Sequence, residues 1–201
     1  MGQYYKPMSL DSKEFLVSFD YGCGLKLMEH SYYYNPMVVE VLLLLMKEWN
    51  GNQVVWSGDY SDKSDEEWNE NIFSKINPQS FDYVTEIQAK GIIFEHSELS
   101  DKGYENLKDK VKELTSSHVF VNYDKKEYCH LDCCRENEGG FRISPIPLLL
   151  CNSNGRGGGD YFSDYDSDCV GSWAYDKVGV IGIEKVSNDY TLRQYDFYEK
   201  W

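Results

Sequence analysis

The residues with the clearest chemical potential form the stretch Asn154-Gly155-Arg156-Gly157-Gly158-Gly159-Asp160-Tyr161, where four glycines fall within five positions. Glycine lacks a Cβ, so such a backbone reaches positive φ cheaply and can turn its N–H groups toward an anion. Arg156 adds a forked cation matched to carboxylate or phosphate oxygens. The loop could therefore cradle a phosphate or nucleotide, or press its backbone against a partner. It is neither a Walker sequence nor a dinucleotide fingerprint, since no Lys-Ser/Thr follows and no clear helix begins there. The candidate ligand- or partner-binding residues are Asn154, Gly155, Arg156, Gly157, Gly158, Asp160, Tyr161 and Tyr165. Asp160 would order the loop or a metal.

Three other groupings have chemical types at suggestive spacing. Glu29 and His30, with Asp59 and Asp62 after an apolar stretch, could furnish a metal or acid–base set. Two carboxylates and a histidine so far apart arise readily by chance, and His30 is expected to be a hydrogen-bonded structural residue. Asp160, Asp164, Asp166 and Asp168 form the densest carboxylate cluster. Cys169 and Tyr175 stand where a calcium loop needs glycine and glutamate, so the expected role is a solvated acidic turn, with weak cation binding left open. Cys129-His130-Leu131-Asp132-Cys133-Cys134 is zinc-like in composition, yet it lacks the two separated ligand pairs of a tetrahedral site. Reduced structural thiols are expected. No protease dyad and no Gly-x-Ser-x-Gly elbow is recognisable, so no catalytic residue, metal or cofactor is assigned.

Composition narrows the function class. The 201 residues carry 34 Asp+Glu against 20 Lys+Arg, a net charge of −14. Phosphate backbones are held by clustered cations, so direct nucleic-acid binding is disfavoured. Such acidity serves solubility, or it suits a protein that competes for the basic channel of a nucleic-acid-handling partner. The longest apolar run, Val38 to Met46, is broken by Glu40 and is too short to cross a bilayer. No secretory signal is recognisable at the start, so a cytoplasmic location without membrane association is expected. Tyrosines number 17; Tyr4, Tyr5, Tyr32, Tyr33, Tyr34, Trp56, Tyr161, Phe162, Tyr165, Trp173 and Tyr175 are interface candidates, most of them expected to serve the core, and some of those beside the loop should be exposed.

The elements that must position these residues follow from period and punctuation. Glu14 to Phe19 reads as an early strand. Asn35-Pro36 is an N-cap followed by proline at the first helical position, predicting a helix to Trp49 with apolar residues nearly all round. Gln53 to Gly58 reads as a buried strand, and surface helices are expected near Ser64 and over Asp101–Leu114. Beyond them the period shortens, with strands expected at 118–123, 127–130, 141–144, 178–183 and 190–198. Helices first and strands later predict one α+β domain over 1–201, mainly antiparallel, with one buried central helix and two surface helices.

Five blocks carry a resemblance. Met1-Gly-Gln-Tyr-Tyr-Lys-Pro7, Gly24-Leu-Lys-Leu-Met-Glu-His-Ser-Tyr32, Val54-Val-Trp-Ser-Gly-Asp-Tyr-Ser-Asp62, Asn154 to Tyr161, and Val170-Gly-Ser-Trp-Ala174 resemble uncharacterised proteins of Gram-positive bacteria and their phages. The resemblance covers about a quarter of the chain and implies a mobile-element context without a mechanism. The leading expectation is a non-enzymatic inhibitor of a host defence protein of the CRISPR or restriction-nuclease type. The alternative is a nucleotide- or phosphate-binding protein, or a metal-assisted hydrolase, centred on residues 154–160.

Overall fold

A computed structural model describes residues 1–61, 73, 82–84 and 101–198. Asn35 caps helix α2 (Pro36–Leu45) as its chemistry requires, its side-chain oxygen accepting from Met37 N at 2.9 Å and Val38 N at 3.4 Å. All ten residues of α2 are buried, Glu40 included. Its last turn comes earlier than the expected Trp49, because the chain tightens into turns at Met46–Gly51. A four-residue helix α1 (Leu27–His30) precedes it. Helix α3 (Asp101–Thr115) buries a narrow stripe of Leu107, Val111 and Leu114, spaced for one helical face, and its exposed side carries Lys–Glu pairs. The helix expected near Ser64 lies outside the described residues.

The strands are β1 (Tyr5–Ser9), β2 (Glu14–Phe15), β3 (Asn52–Gly58), β4 (Asp82–Tyr83), β5 (His118–Asn122), β6 (Glu127–His130), β7 (Cys151–Asn152), β8 (Lys177–Gly182) and β9 (Thr191–Leu192). They form one sheet in the order β4-β2-β1-β3-β8-β5-β6-β9, and β7 joins β3. Five pairings are antiparallel (β1/β2, β1/β3, β3/β8, β5/β6, β5/β8), while the three parallel ones each involve a two-residue strand. This is the expected α+β domain with a mainly antiparallel sheet. On β3, Val54 and Trp56 enter the main core and Val55 joins Met8, Leu10 and Phe15 on the opposite face. Side chains alternate along a strand, so a run buried on both sides means both sheet faces are covered there.

Three expected strands change. The early one, expected over Glu14–Phe19, forms only as β2, and the chain turns into a 3-10 helix over Ser18–Tyr21. Residues 141–144 supply only the isolated bridges Glu136↔Arg142 and Tyr32↔Ile143 before a short helix α4 (Pro145–Leu149), which starts with Ser144 as cap and proline at the first position. Over 190–198 only β9 makes a ladder. Tyr195 and Phe197 still point inward, at 4% and 0% exposure.

Candidate functional site

β7 leaves α4 and runs parallel to the end of β3, so the glycine loop emerges beside the chain's first residues. Asn154 closes its base, donating to Tyr161 O at 3.0 Å and accepting from Tyr161 N at 2.9 Å. Gly155 and Gly159 both take φ +88, which disfavours any other residue. Between them, the N–H groups of Arg156 and Gly157 converge on Asp160 Oδ2, at 2.8 and 3.0 Å. The other oxygen of Asp160 accepts from the Tyr5 hydroxyl at 2.7 Å. Burial, with Cys151 and Asp160 close by, pushes the Tyr5 phenol far up, so it remains a neutral donor.

The loop is also strapped down from outside. Gly158 bridges Gly2 through Gln3 N→Gly158 O at 3.2 Å and Gly158 N→Met1 O at 3.1 Å, while Met28 N donates to Gly159 O at 3.0 Å. With its amide turned to satisfy its neighbours, Gln3 donates to Ser153 O and Asp160 Oδ2, both at 3.1 Å. A Cβ on Gly157 would lie 2.5 Å from Gln3 Cβ and 2.7 Å from Gln3 N, so this approach requires glycine. Arg156 stays exposed and donates to Tyr60 O at 3.2 Å. Residues from four of the five resembling blocks (1–7, 24–32, 54–62 and 154–161) thus meet at one corner.

This geometry bears directly on the phosphate cradle. The N–H pair suited to an anion already holds one, the chain's own Asp160 carboxylate. Tyr161 is buried at 3% exposure and packs edge-on against Phe197, its hydroxyl donating to Tyr165 O at 2.6 Å, so it supports the loop from inside. The next residue points the other way. Phe162 is 99% exposed, and Tyr165 and Tyr4 are partly exposed at 41% and 44%. The Arg135 guanidinium lies 4.4 Å from the Tyr165 ring.

The histidine–carboxylate and aspartate groupings fall apart in space. His30 is fully buried, its Nε2 accepting from Trp56 Nε1 at 3.5 Å, and burial pushes its pKa down to about 3. It is a neutral core residue. Asp59 Oδ1 accepts from Tyr4 N at 3.0 Å, and Asp62 lies outside the described residues. Asp164 and Asp168 are exposed, Asp166 accepts from Asp196 N, and Asp160 serves the loop. Among the described residues no group of three His, Cys, Asp or Glu is arranged to hold a metal ion.

Sequence reasoning missed a second feature, a cavity of about 640 Å³ lined by Tyr32, Tyr34, Phe141, Lys108, Lys112 and Arg142, beside the start of α2. Glu136 also lines it and pairs with Arg142 at 3.4 Å; Glu105 pairs with Lys108 at 3.0 Å. The i,i+4 spacing of Lys108 and Lys112 was the available signal, but the loop that brings Phe141 and Arg142 to them had none. Compared with protein-family models, curated proteins and solved structures, the chain matches none of them.

Proposed function

We propose that this chain is a non-enzymatic binding protein that occupies a basic surface of a nucleic-acid-handling partner, with the glycine-loop corner as its contact. The observation that carries this reading is Phe162, a phenyl ring left 99% in water on a loop whose backbone is tied at both flanks. A large apolar side chain gains nothing from that position in the isolated chain, whereas aromatic rings and arginines are frequent anchors of interfaces. Asp164 and Asp168 stand exposed around it, which suits a basic partner. The resemblance to phage and Gram-positive proteins makes a host CRISPR or restriction nuclease the partner class to test. The experiment is competition: the chain should displace DNA from such a nuclease, and Phe162→Ala should weaken that displacement by at least about tenfold. A variant as potent as the parent would remove the corner from the interface.

A second reading, a nucleotide-binding protein, is favoured by the cavity and no longer by the loop. Tyr32, Tyr34 and Phe141 offer ring faces, and Lys108, Lys112 and Arg142 offer cations, in a chain of net charge −14. Calorimetric titration with nucleoside mono- and diphosphates separates the readings. Under this one Lys112→Glu abolishes binding and Phe162→Ala leaves it intact.

A further inference from the structure

Three of the six cysteines gather at one place that neither reading above uses. Cys129 lies next to the end of β6 as a fully buried thiol, and the turn closed by Cys133 N→His130 O at 3.2 Å folds Cys133 back toward it. The sulfurs of Cys133 and Cys134 lie 3.9 Å apart, and the Cys129 thiol lies close enough to Cys133 for the two to interact electrostatically. Of the three, only Cys133 reaches a surface cleft of about 610 Å³, whose other lining includes His130, Arg193 and three carboxylates, Asp132, Asp166 and Asp196.

We propose that Cys133 is a peroxide-reactive thiol and that Cys129 resolves it into an intramolecular disulfide. The division of labour follows from access. An oxidant entering the cleft meets one sulfur, and the partner sulfur waits behind it, shielded from direct attack. Neighbouring thiols and backbone N–H groups hold the Cys133 pKa well below the ordinary thiol value, while burial pushes Cys129 up and interaction with Cys133, then burial, pushes Cys134 up. Cys129 is the better resolving group, because a bridge between the adjacent Cys133 and Cys134 would close a ring through a single peptide bond and distort it. Three carboxylates beside one arginine make the cleft poor for anionic disulfides and suited to a small neutral oxidant, a hydroperoxide.

The chemistry balances without any other reagent. The Cys133 thiolate attacks the terminal oxygen of the hydroperoxide; the O–O bond breaks, and the alcohol (or water) leaves after taking a proton. Cys133 is now a sulfenic acid. The Cys129 sulfur attacks it, an S–S bond forms, the S–O bond breaks, and water departs with the Cys129 proton. Two thiols have lost two electrons and one peroxide has gained them.

The test uses the reduced full chain and hydrogen peroxide. After oxidation, free thiols are blocked and peptides are mapped by mass spectrometry without reduction. A Cys129–Cys133 cross-link, reversed by dithiothreitol, is expected, and iodoacetamide should label Cys133 roughly tenfold or more faster than Cys23 at mildly acidic pH. In Cys129→Ser the reaction should stop at a Cys133 sulfenic acid that dimedone traps, while Cys23→Ser should cross-link like the parent. The parent chain alone decides the matter even if a variant fails to fold. Cys133 left reduced while other cysteines oxidise, or a bridge from Cys133 to Cys134, would overturn the proposal.

Discussion

Asp160 and Arg156 sit four residues apart in one loop and carry opposite expectations. Asp160 accepts from two backbone N–H groups and one phenol, so it holds the loop's shape. Asp160→Asn keeps the volume and removes the charge, and should cost about 1–3 kcal/mol of stability. Arg156 is exposed on the same loop, and Arg156→Ala should stay within about 0.5 kcal/mol of the parent in chemical denaturation. If the corner binds a partner, Arg156→Ala should nevertheless weaken that binding. Denaturation and binding must be measured on the same two variants. A strongly destabilised Arg156→Ala would mean that its contact with Tyr60 O is a structural clasp. The sequence displayed both residues and the glycines, and from them the loop was recognisable. It could not tell whether the N–H groups would face outward or be filled from within, because Asp160 at that spacing permits either.

Between elements, the contact of α1 with β3 sets a pH response. His30 on α1 is neutral in the fold down to about pH 3, whereas an exposed imidazole takes its proton near 6.5. Between those values the unfolded chain binds more protons, so stability falls as pH drops, approaching about 1.4 kcal/mol per pH unit from this group alone. Urea titrations from pH 6.5 to 4 should show a shallower loss in His30→Gln than in the parent; equal slopes would mean that His30 is solvated. Elements whose ends carry their own chemistry were legible. Asn35-Pro36 announced α2, and the 3.6-residue stripe announced α3. β1 was not, because Pro7 reads as a breaker. The strand tolerates it since β2 covers only Met8 and Ser9, leaving Pro7 without a ladder partner on that side beyond Leu16 N→Pro7 O. Over 190–198 the expected strand is shorter, yet Tyr195 and Phe197 are buried. Beyond β9 the ladder does not continue, because Asp196 N and Tyr198 N donate to the Asp166 carboxylate and the Tyr161 hydroxyl.

For the molecule as a whole, a net charge of −14 acts beyond any single contact. Its field reaches about one Debye length, roughly 10 Å at 0.1 M salt, so it should speed encounter with a basic partner and fade as salt rises. Affinity for a competing nuclease should therefore fall steeply across a salt series, chiefly through the association rate. A flat series would rule out charge complementarity and leave Phe162 and its neighbours to act through apolar contact alone. The strap that joins the first three residues to Gly158 has a different reach, in time. Gln3 and Ser153 are 150 residues apart in the chain, and Asn52 and Gln53 of β3 pair with β8 more than a hundred residues later. Residues 1–3 leave the ribosome long before residues 153–158 exist, so this strap must stay unclosed while β1 already pairs with β2 and β3. Long waits of this kind slow folding and leave strand edges open to other chains. During synthesis, the corner that the finished molecule presents as a single surface stays in two pieces until residues 153–160 have emerged.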